Sequence, residues 1–399
     1  MSSLTKGIFI VAAKRTPFGT YGGKFVKKSS TELQTVASQA ALASANIKPE
    51  TVDSTVIGNV LGASSTDSIY LSRHVMLKCG IPIAKPALTV NRLCGSGFQS
   101  VVNGAQNILC GDSSVVLTGG VDNMSQAPHM VRNIRFGLGL GQQLELEDSL
   151  WAALTDSYCK LPMALTAENL ADQYKISRDE VEEYALRSQA NWKNANDNGY
   201  FKTEMAPVSV KVKGKEVVVD TDEHPKPTST KESLAKLPAI FKKGGTVTAA
   251  TASGVCDGAG AVVLASEEAC SKLGLKPLAR LVGYSAVGVE PSIMGIGPAP
   301  AITMLLQKAG KSLADMDLIE INEAFAAQTL ACAKELKLDM SKLNVNGGAI
   351  ALGHPLAASG SRITAHLVHE LRRRKAKYGI GSACIGGGQG IALLLESIH

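Results

Sequence analysis

Ser96–Gly120 reads SGFQSVVNGAQNILCGDSSVVLTGG, and Ser359–Ala383 reads SGSRITAHLVHELRRRKAKYGIGSA. The two align without a gap at an offset of 263. Each opens on Ser-Gly and runs on with helical apolar spacing, at Phe98 to Leu109 and at Arg362 to Arg374. Each closes on a short apolar strand, Val115–Thr118 or Tyr378–Gly381. Two further matches keep the same order. Ala45–Val60 aligns with Ala309–Ala324 at an offset of 264, pairing Asp53 with Asp317, and Asp257–Ala265 aligns with Gly387–Leu395. Identity is low in each match, so their shared order carries the inference: one structural unit is used twice. The first half is expected at 1–125 and again at 246–275, and the second at 276–399. Residues 126–245 are an insertion.

The elements around these matches alternate. Ser29-x-x-Glu32 is a capping box that opens an amphipathic helix running to about Ala45. Thr55–Gly58 and Leu318–Ile321 read as strands, as does Gly7–Ala13 near the start. Strands alternating with helices predict an α/β fold with largely parallel pairing. In the insertion, Thr166–Tyr174 and Ser177–Asn194 are predicted helices, the second with a capping box at Ser177 and Glu180 and a stop by Gly199. Residues 205–245 read as loops with short strands. A hydrophilic insertion over a duplicated core is a natural ligand cover.

Composition bounds the function. The chain has 399 residues, 45% hydrophobic and 19% charged, with 39 glycines. This excludes global disorder. The net charge of +6 comes without an aromatic-interleaved basic stripe, so nucleic acid is not the expected partner. The basic run Arg372–Lys375 with Lys377 reads as a solvated helix end. No apolar run reaches the roughly 18 residues of a membrane span. The 8 cysteines are scattered, with no C-x-x-C and no zinc-like spacing, and read as reduced thiols. Residues 1–31 carry six basic residues (Lys6, Lys14, Arg15, Lys24, Lys27, Lys28) and no acid before Glu32, compatible with a mitochondrial targeting signal. The terminal Ser397-Ile398-His399 is not a peroxisomal S-K-L.

Four segments carry chemistry. Cys94, in Asn91-Arg-Leu-Cys-Gly-Ser-Gly-Phe98, sits between an extended run and a helix start. A thiol there is expected to lose its proton more readily. At a pKa of about 8.5 only about 3% is thiolate at pH 7, and a fall to about 6.5 makes most of it thiolate. His354 precedes the repeat-matched helix of the second half, within Gly353-His-Pro355. If the halves pack about a pseudo-twofold axis, thiol and imidazole share one cleft as nucleophile and base. Cys384, before the glycine run Gly386–Gly388, is a second thiol suited to proton transfer at carbon when its pKa is near about 8. Asn322, in Asn322-Glu-Ala-Phe325, follows a strand and could hold a water in the cleft.

These four segments, in this order and over essentially the whole chain, resemble the signature set of the thiolases. Arg15-Thr-Pro17 and Ser125-Gln-Ala-Pro128 extend the likeness. Leu161-Pro-Met163 resembles the degradative, 3-ketoacyl-CoA-cleaving branch. The resemblance implies duplicated βαβ halves forming a layered α-β-α-β-α core, with the inserted loop domain covering a CoA site. It implies thiolytic cleavage of 3-ketoacyl-CoA to acetyl-CoA and a shortened acyl-CoA, the last step of fatty acid β-oxidation. Cys94 would be the nucleophile, His354 its base and Cys384 the acid–base group at carbon. One oxyanion site would use His354 and a water on Asn322, the other the N–H groups of Cys94 and Gly386. Ser253 would meet pantetheine in a tunnel lined by Met163 and Phe325, and Phe241 and Lys226 would lie near the nucleotide. CoA enters as substrate and no metal or redox cofactor is implied. A dimer of dimers in the mitochondrial matrix is the implied setting, with cytosol as the alternative.

Some positions depart from the family pattern. Lys226 stands where relatives have Arg, Thr251 where they have Asn, and Asp122 where they have Glu. Ala357 and Ala358 follow His354-Pro355 where small or glycine residues are usual, and their methyls are expected to press on His354. The competing functions are an acetoacetyl-CoA thiolase of narrow chain length, a decarboxylating ketoacyl synthase, and a non-catalytic CoA binder. The synthase chemistry calls for a second histidine where Cys384 stands.

Overall fold

The computed structural model describes residues 7–399. The duplication is visible in the order of the strands. From one edge, the main path through the sheet runs Leu318–Ile321, Tyr378–Ile385, Gln389–Ser397, Ala279–Gly288, then Ile8–Arg15, Cys256–Ser266, Val115–Asn123, Ser54–Gly58, Ala87–Val90. The first four mirror the next four. The halves join at the centre through a short link, Phe9 beside Arg280 and Ile10 beside Ala279.

The matched residues do matched work. Asp53 accepts the N–H groups of Ser114 and Val115. Asp317, its counterpart in the repeat, accepts those of Lys377 and Tyr378. Each aspartate thereby ties the start of one strand to the start of its neighbour. The register also slips once in each central strand, between Ile10 and Ala12 and between Leu281 and Gly283.

Side-chain alternation builds the layers. Val262, Leu264, Ile391, Leu393 and Leu395 face inward on the helices Ser96–Leu109 and Ala358–Arg374, through Phe98, Val101, Ile363 and Leu367. Their neighbours Ala261, Val263 and Ala265 face outward onto the helix Ser30–Ser44. Ala392 and Leu394 do the same onto Pro298–Ala309. The result is α-β-α-β-α, with two helices enclosed between the sheet halves.

The expectation of largely parallel pairing is corrected. Parallel pairs occur only toward the edges, where Ser54–Gly58 joins Val115–Asn123 and Ala87–Val90, and Leu318–Ile321 joins Tyr378–Ile385. The interior pairs are antiparallel. The reason is connection length. A three-residue turn, Gly386–Gly388, joins two strands as a hairpin, whereas a parallel pair needs a crossover.

In the insertion, helices Met163–Gln173 and Arg178–Asp197 form as expected, with the Ser177–Glu180 capping box, and a hairpin pairs Val208–Val212 with Lys215–Val219. The insertion is clamped to the first strand by charge. Arg15, fully buried, reaches Glu204 at 2.6 Å and Asp222 at 2.6 and 3.0 Å. Glu204 also meets His366 of the second half at 2.8 Å. The basic run is a solvated helix end as expected: Arg373, Arg374, Lys375 and Lys377 are exposed at the end of Ala358–Arg374, and Arg373 and Arg374 also bond Glu370. Of the residues read as a targeting signal, 1–6 lie outside the described residues, and Ile8–Arg15 is the first strand.

Candidate active site

The two enclosed helices meet N-terminus to N-terminus. A Cβ on Gly97 would lie 2.5 Å from the Ala357 carbonyl oxygen, and one on Gly360 would lie 2.3 Å from the Phe98 nitrogen. Gly97 and Gly360 are counterparts in the repeat, so the pseudo-twofold axis passes close to this contact. Cys94 and His354 stand just before the two helices.

Cys94 rides on a strained turn. Leu93 adopts φ +46°, a left-handed conformation that costs a non-glycine residue about 1–2 kcal/mol. Asn91 holds the Leu93 N–H at 2.9 Å, and the Ser96 hydroxyl donates to the Leu93 carbonyl at 2.7 Å. The expected loss of the thiol proton is corrected. Burial pushes the thiol up to about 11, while the nearby N–H groups of Gly386 and of Cys94 itself pull the other way. Asp122 nearby pushes in the same direction as burial. Helix-end donors alone do not outweigh desolvation here.

His354 compensates. Burial first, and the Arg362 charge second, lower its pKa to about 3, so the ring is a neutral base at physiological pH. The backbone N–H of His354 donates to the Gly254 carbonyl at 2.9 Å. Nδ1 lies 2.5 Å from the Ser359 hydroxyl, and Nε2 lies 3.3 Å from Asn322 Nδ2. With Nδ1–H donating to Ser359, Nε2 carries the lone pair. Asn322 is fully buried and its Oδ1 has no partner. An acceptor oxygen so placed can take a hydrogen bond from a water.

Cys94, His354, Gly386, Ser253, Met163, Phe241 and Phe325 line one cavity of about 300 Å³. Cys384 sits behind it, packed with Met163, Phe325, Met294 and Ala324. It lies inside the strand Tyr378–Ile385, which runs past the expected end at Gly381 because pairing with Gln389–Ser397 continues it. Burial and the nearby Cys94 raise its thiol well above the ordinary range, so the expectation of a value near 8 is corrected: Cys384 rests as an acid. Ser253 donates its N–H to the Ala324 carbonyl at 2.9 Å. Lys226 is exposed and does not line the cavity.

From the insertion, Trp151, Leu154, Met163, Ile240 and Phe241 contribute to the walls. Trp151 stacks on Phe241 with ring centres 6.2 Å apart. Sequence reasoning missed Ser359, whose signal was its place at the start of a helix five residues after His354. It also missed the Gly254 carbonyl, for which no side chain gives a signal.

Three of the departures have structural accounts. Ala357 is helical, φ −69° and ψ −25°, so it needs no glycine, and its N–H goes to Asp122. Ala358 packs among Phe18, Trp192 and Cys256. The expected pressure of their methyls on His354 finds no support in these contacts. Thr251 organises its own loop: its hydroxyl donates to the Thr246 carbonyl at 2.7 Å and accepts the Thr248 N–H at 2.8 Å.

A duplicated α-β-α-β-α core with a thiol and a neutral imidazole at its centre defines a class. The chain belongs to the thiolase family: the thiolase N-terminal domain matches residues 8–268 and the C-terminal domain residues 275–397. It is 62% identical over 395 residues to the mitochondrial 3-ketoacyl-CoA thiolase of Homo sapiens, with 99% of each chain covered. The crystal structure of the human mitochondrial 3-ketoacyl-CoA thiolase in complex with CoA superimposes with a TM-score of 0.97 at 61% identity, covering 100% of this chain and 99% of the other. It is also 43% identical, over 99% of this chain and 100% of the relative, to the acetyl-CoA acetyltransferase of Syntrophomonas wolfei. The names of the more similar relatives support a mitochondrial location. Among the described residues no helix is long and apolar enough to cross a membrane.

Proposed function

We propose that this protein cleaves 3-ketoacyl-CoA with CoA, giving acetyl-CoA and a shortened acyl-CoA, the closing reaction of fatty acid β-oxidation. The single observation that carries the reading is the convergence of Cys94, His354 and Gly386 on one apolar cavity, with Cys384 and Asn322 directly behind it. His354 takes the Cys94 proton and the sulfur attacks the 3-keto carbon. The oxyanion is held by His354 and a water on Asn322, or by the N–H groups of Cys94 and Gly386. The C2–C3 bond breaks, and Cys384 gives its proton to the acetyl-CoA carbon. The resting acidity of Cys384 suits that direction. Incoming CoA returns a proton to Cys384 and attacks the acyl group on Cys94, which leaves with the proton held by His354.

Ser253 meets pantetheine between Met163 and Phe325, while Phe241 and the exposed Lys226 lie toward the nucleotide. The thioester itself acidifies the α-carbon, so no metal or redox group enters this scheme. The halves 1–125 with 246–275 and 276–399, and the cover 126–245, are our division of the chain. It acts as a dimer of dimers in the mitochondrial matrix.

Acetyl-CoA added to the protein should leave an acetyl group on Cys94, read by mass spectrometry of the peptide. Absence of that adduct overturns the mechanism. Thiolysis rates across 3-ketoacyl chain lengths test the substrate class. A sharp loss beyond four carbons turns the assignment to an acetoacetyl-CoA thiolase.

A further inference from the structure

Asp122 is the second-to-last residue of the strand Val115–Asn123 and is fully buried. Its two oxygens serve different halves of the molecule. Oδ1 accepts Asn59 Nδ2 at 3.0 Å, the Val60 N–H at 3.1 Å and the Leu61 N–H at 2.9 Å, all in the first half. Oδ2 accepts the Ala357 N–H at 2.8 Å, in the second half, three residues after His354. Both tethered segments form cavity wall. Val60 and Leu356 line the cavity, and Leu61, Leu356, Val60 and Cys94 pack in one apolar cluster. A buried carboxylate is costly unless its lone pairs are taken up, and here four neutral N–H donors take them up.

We propose that Asp122 is a positioning residue for thiolysis: it fastens the wall beside Cys94 to the start of the His354 helix and so sets the separation of nucleophile and base across the two halves. The inference rests on the roles given above to Cys94 and His354. The arrangement has a cost. The carboxylate stands near Cys94, and its charge opposes thiolate formation there. The titratable groups around this point are Cys94, Cys384, His354 and Asp122, with Asp257 acting on Asp122 in turn. Position and charge therefore pull in opposite directions, which makes them separable.

Asp122→Asn keeps the shape but turns one oxygen into an NH₂ that faces an N–H donor, releasing one half. Acetylation of Cys94 by acetyl-CoA is expected to slow by about ten- to a hundred-fold, the scale of a misplacement near 1 Å. Alkylation of Cys94 by iodoacetamide, followed up to high pH where solvent hydroxide rather than His354 forms the thiolate, is expected to quicken and its pH midpoint to fall, because a negative charge is gone. Asp122→Glu, which keeps charge and both oxygens, is expected to recover acetylation to within about three-fold of the original. Acetylation at the original rate in folded Asp122→Asn overturns the proposal. So does a parallel fall in acetylation and alkylation, the mark of a merely structural residue. If Asp122→Asn does not fold, Asn59→Ala decides. It removes one donor and leaves the carboxylate, and acetylation should fall while the alkylation midpoint stays; unchanged acetylation overturns the proposal. Failure of the unsubstituted protein to acetylate at all is a different result, and it counts against the thiolase mechanism instead.

Discussion

The turns before the two enclosed helices occupy equivalent places in the repeat and are handled in opposite ways. In the first half the left-handed residue is Leu93, with a full side chain at φ +46°. The turn projects Cys94 into the cavity, only partly buried. In the second half the unusual conformation falls on Gly353, at φ +98°, where a Cβ would lie 2.5 Å from the Cys256 sulfur. That turn draws His354 inward until it is 6% exposed. One half holds strain to present a nucleophile, and the other uses glycine to bury a base. Duplication set two helix starts face to face, and the chemistry came from the few residues preceding each.

Removing either partner is the harshest way to break the comparison. Cys94→Ala should abolish the acyl-enzyme, and His354→Asn should slow acetylation by about a hundred- to ten-thousand-fold, since a thiol held near 11 needs its base. Single-turnover mass spectrometry checks both. Next come the glycines that let the turns meet. Gly97→Ala and Gly360→Ala each put a methyl onto backbone and should destabilise the protein by about 1–3 kcal/mol, read by thermal or urea unfolding.

The buried base also carries a pH signature. Folding lowers the His354 pKa from 6.5 to about 3. The unfolded chain therefore binds a proton in that window that the folded one refuses. This contribution to stability is lost progressively as pH falls below 6.5 and amounts to about 1 kcal/mol one unit down. The stability of His354→Asn, read by unfolding, should decline less steeply between pH 7 and 5 than that of the unsubstituted protein. A parallel decline would mean the ring is solvated. The smallest effect is expected from Ala357→Gly. A helical N-cap gains nothing from glycine, so turnover should stay within about two-fold and stability should fall by no more than about 1 kcal/mol.

Much of this was legible in the chain itself. Ser-Gly at 96 and 359, and Asp53 against Asp317, marked the duplication, and both capping boxes form where the motif places them. Strand direction was not legible. Apolar alternation is the same for parallel and antiparallel neighbours, and the hairpin at Gly386–Gly388 shows itself only through pairing. The site residues were visible as types in glycine-rich surroundings, while their protonation was not. A helix start argues for a thiolate, and only the enclosed surroundings of Cys94 reverse the sign. Asp122 read as a one-residue variation because its four donors come from segments almost 300 residues apart.

The contact between Gly97 and Gly360 also orders events in time. Cys94 is synthesised 260 residues before His354 and 292 before Gly386. Until the last strands are in place the nascent chain holds a thiol without its base, without the second sulfur and without one of its oxyanion donors. A ribosome-bound or truncated chain thus carries no acyl-transfer centre, and catalytic competence becomes a report that synthesis and closure of both halves are finished.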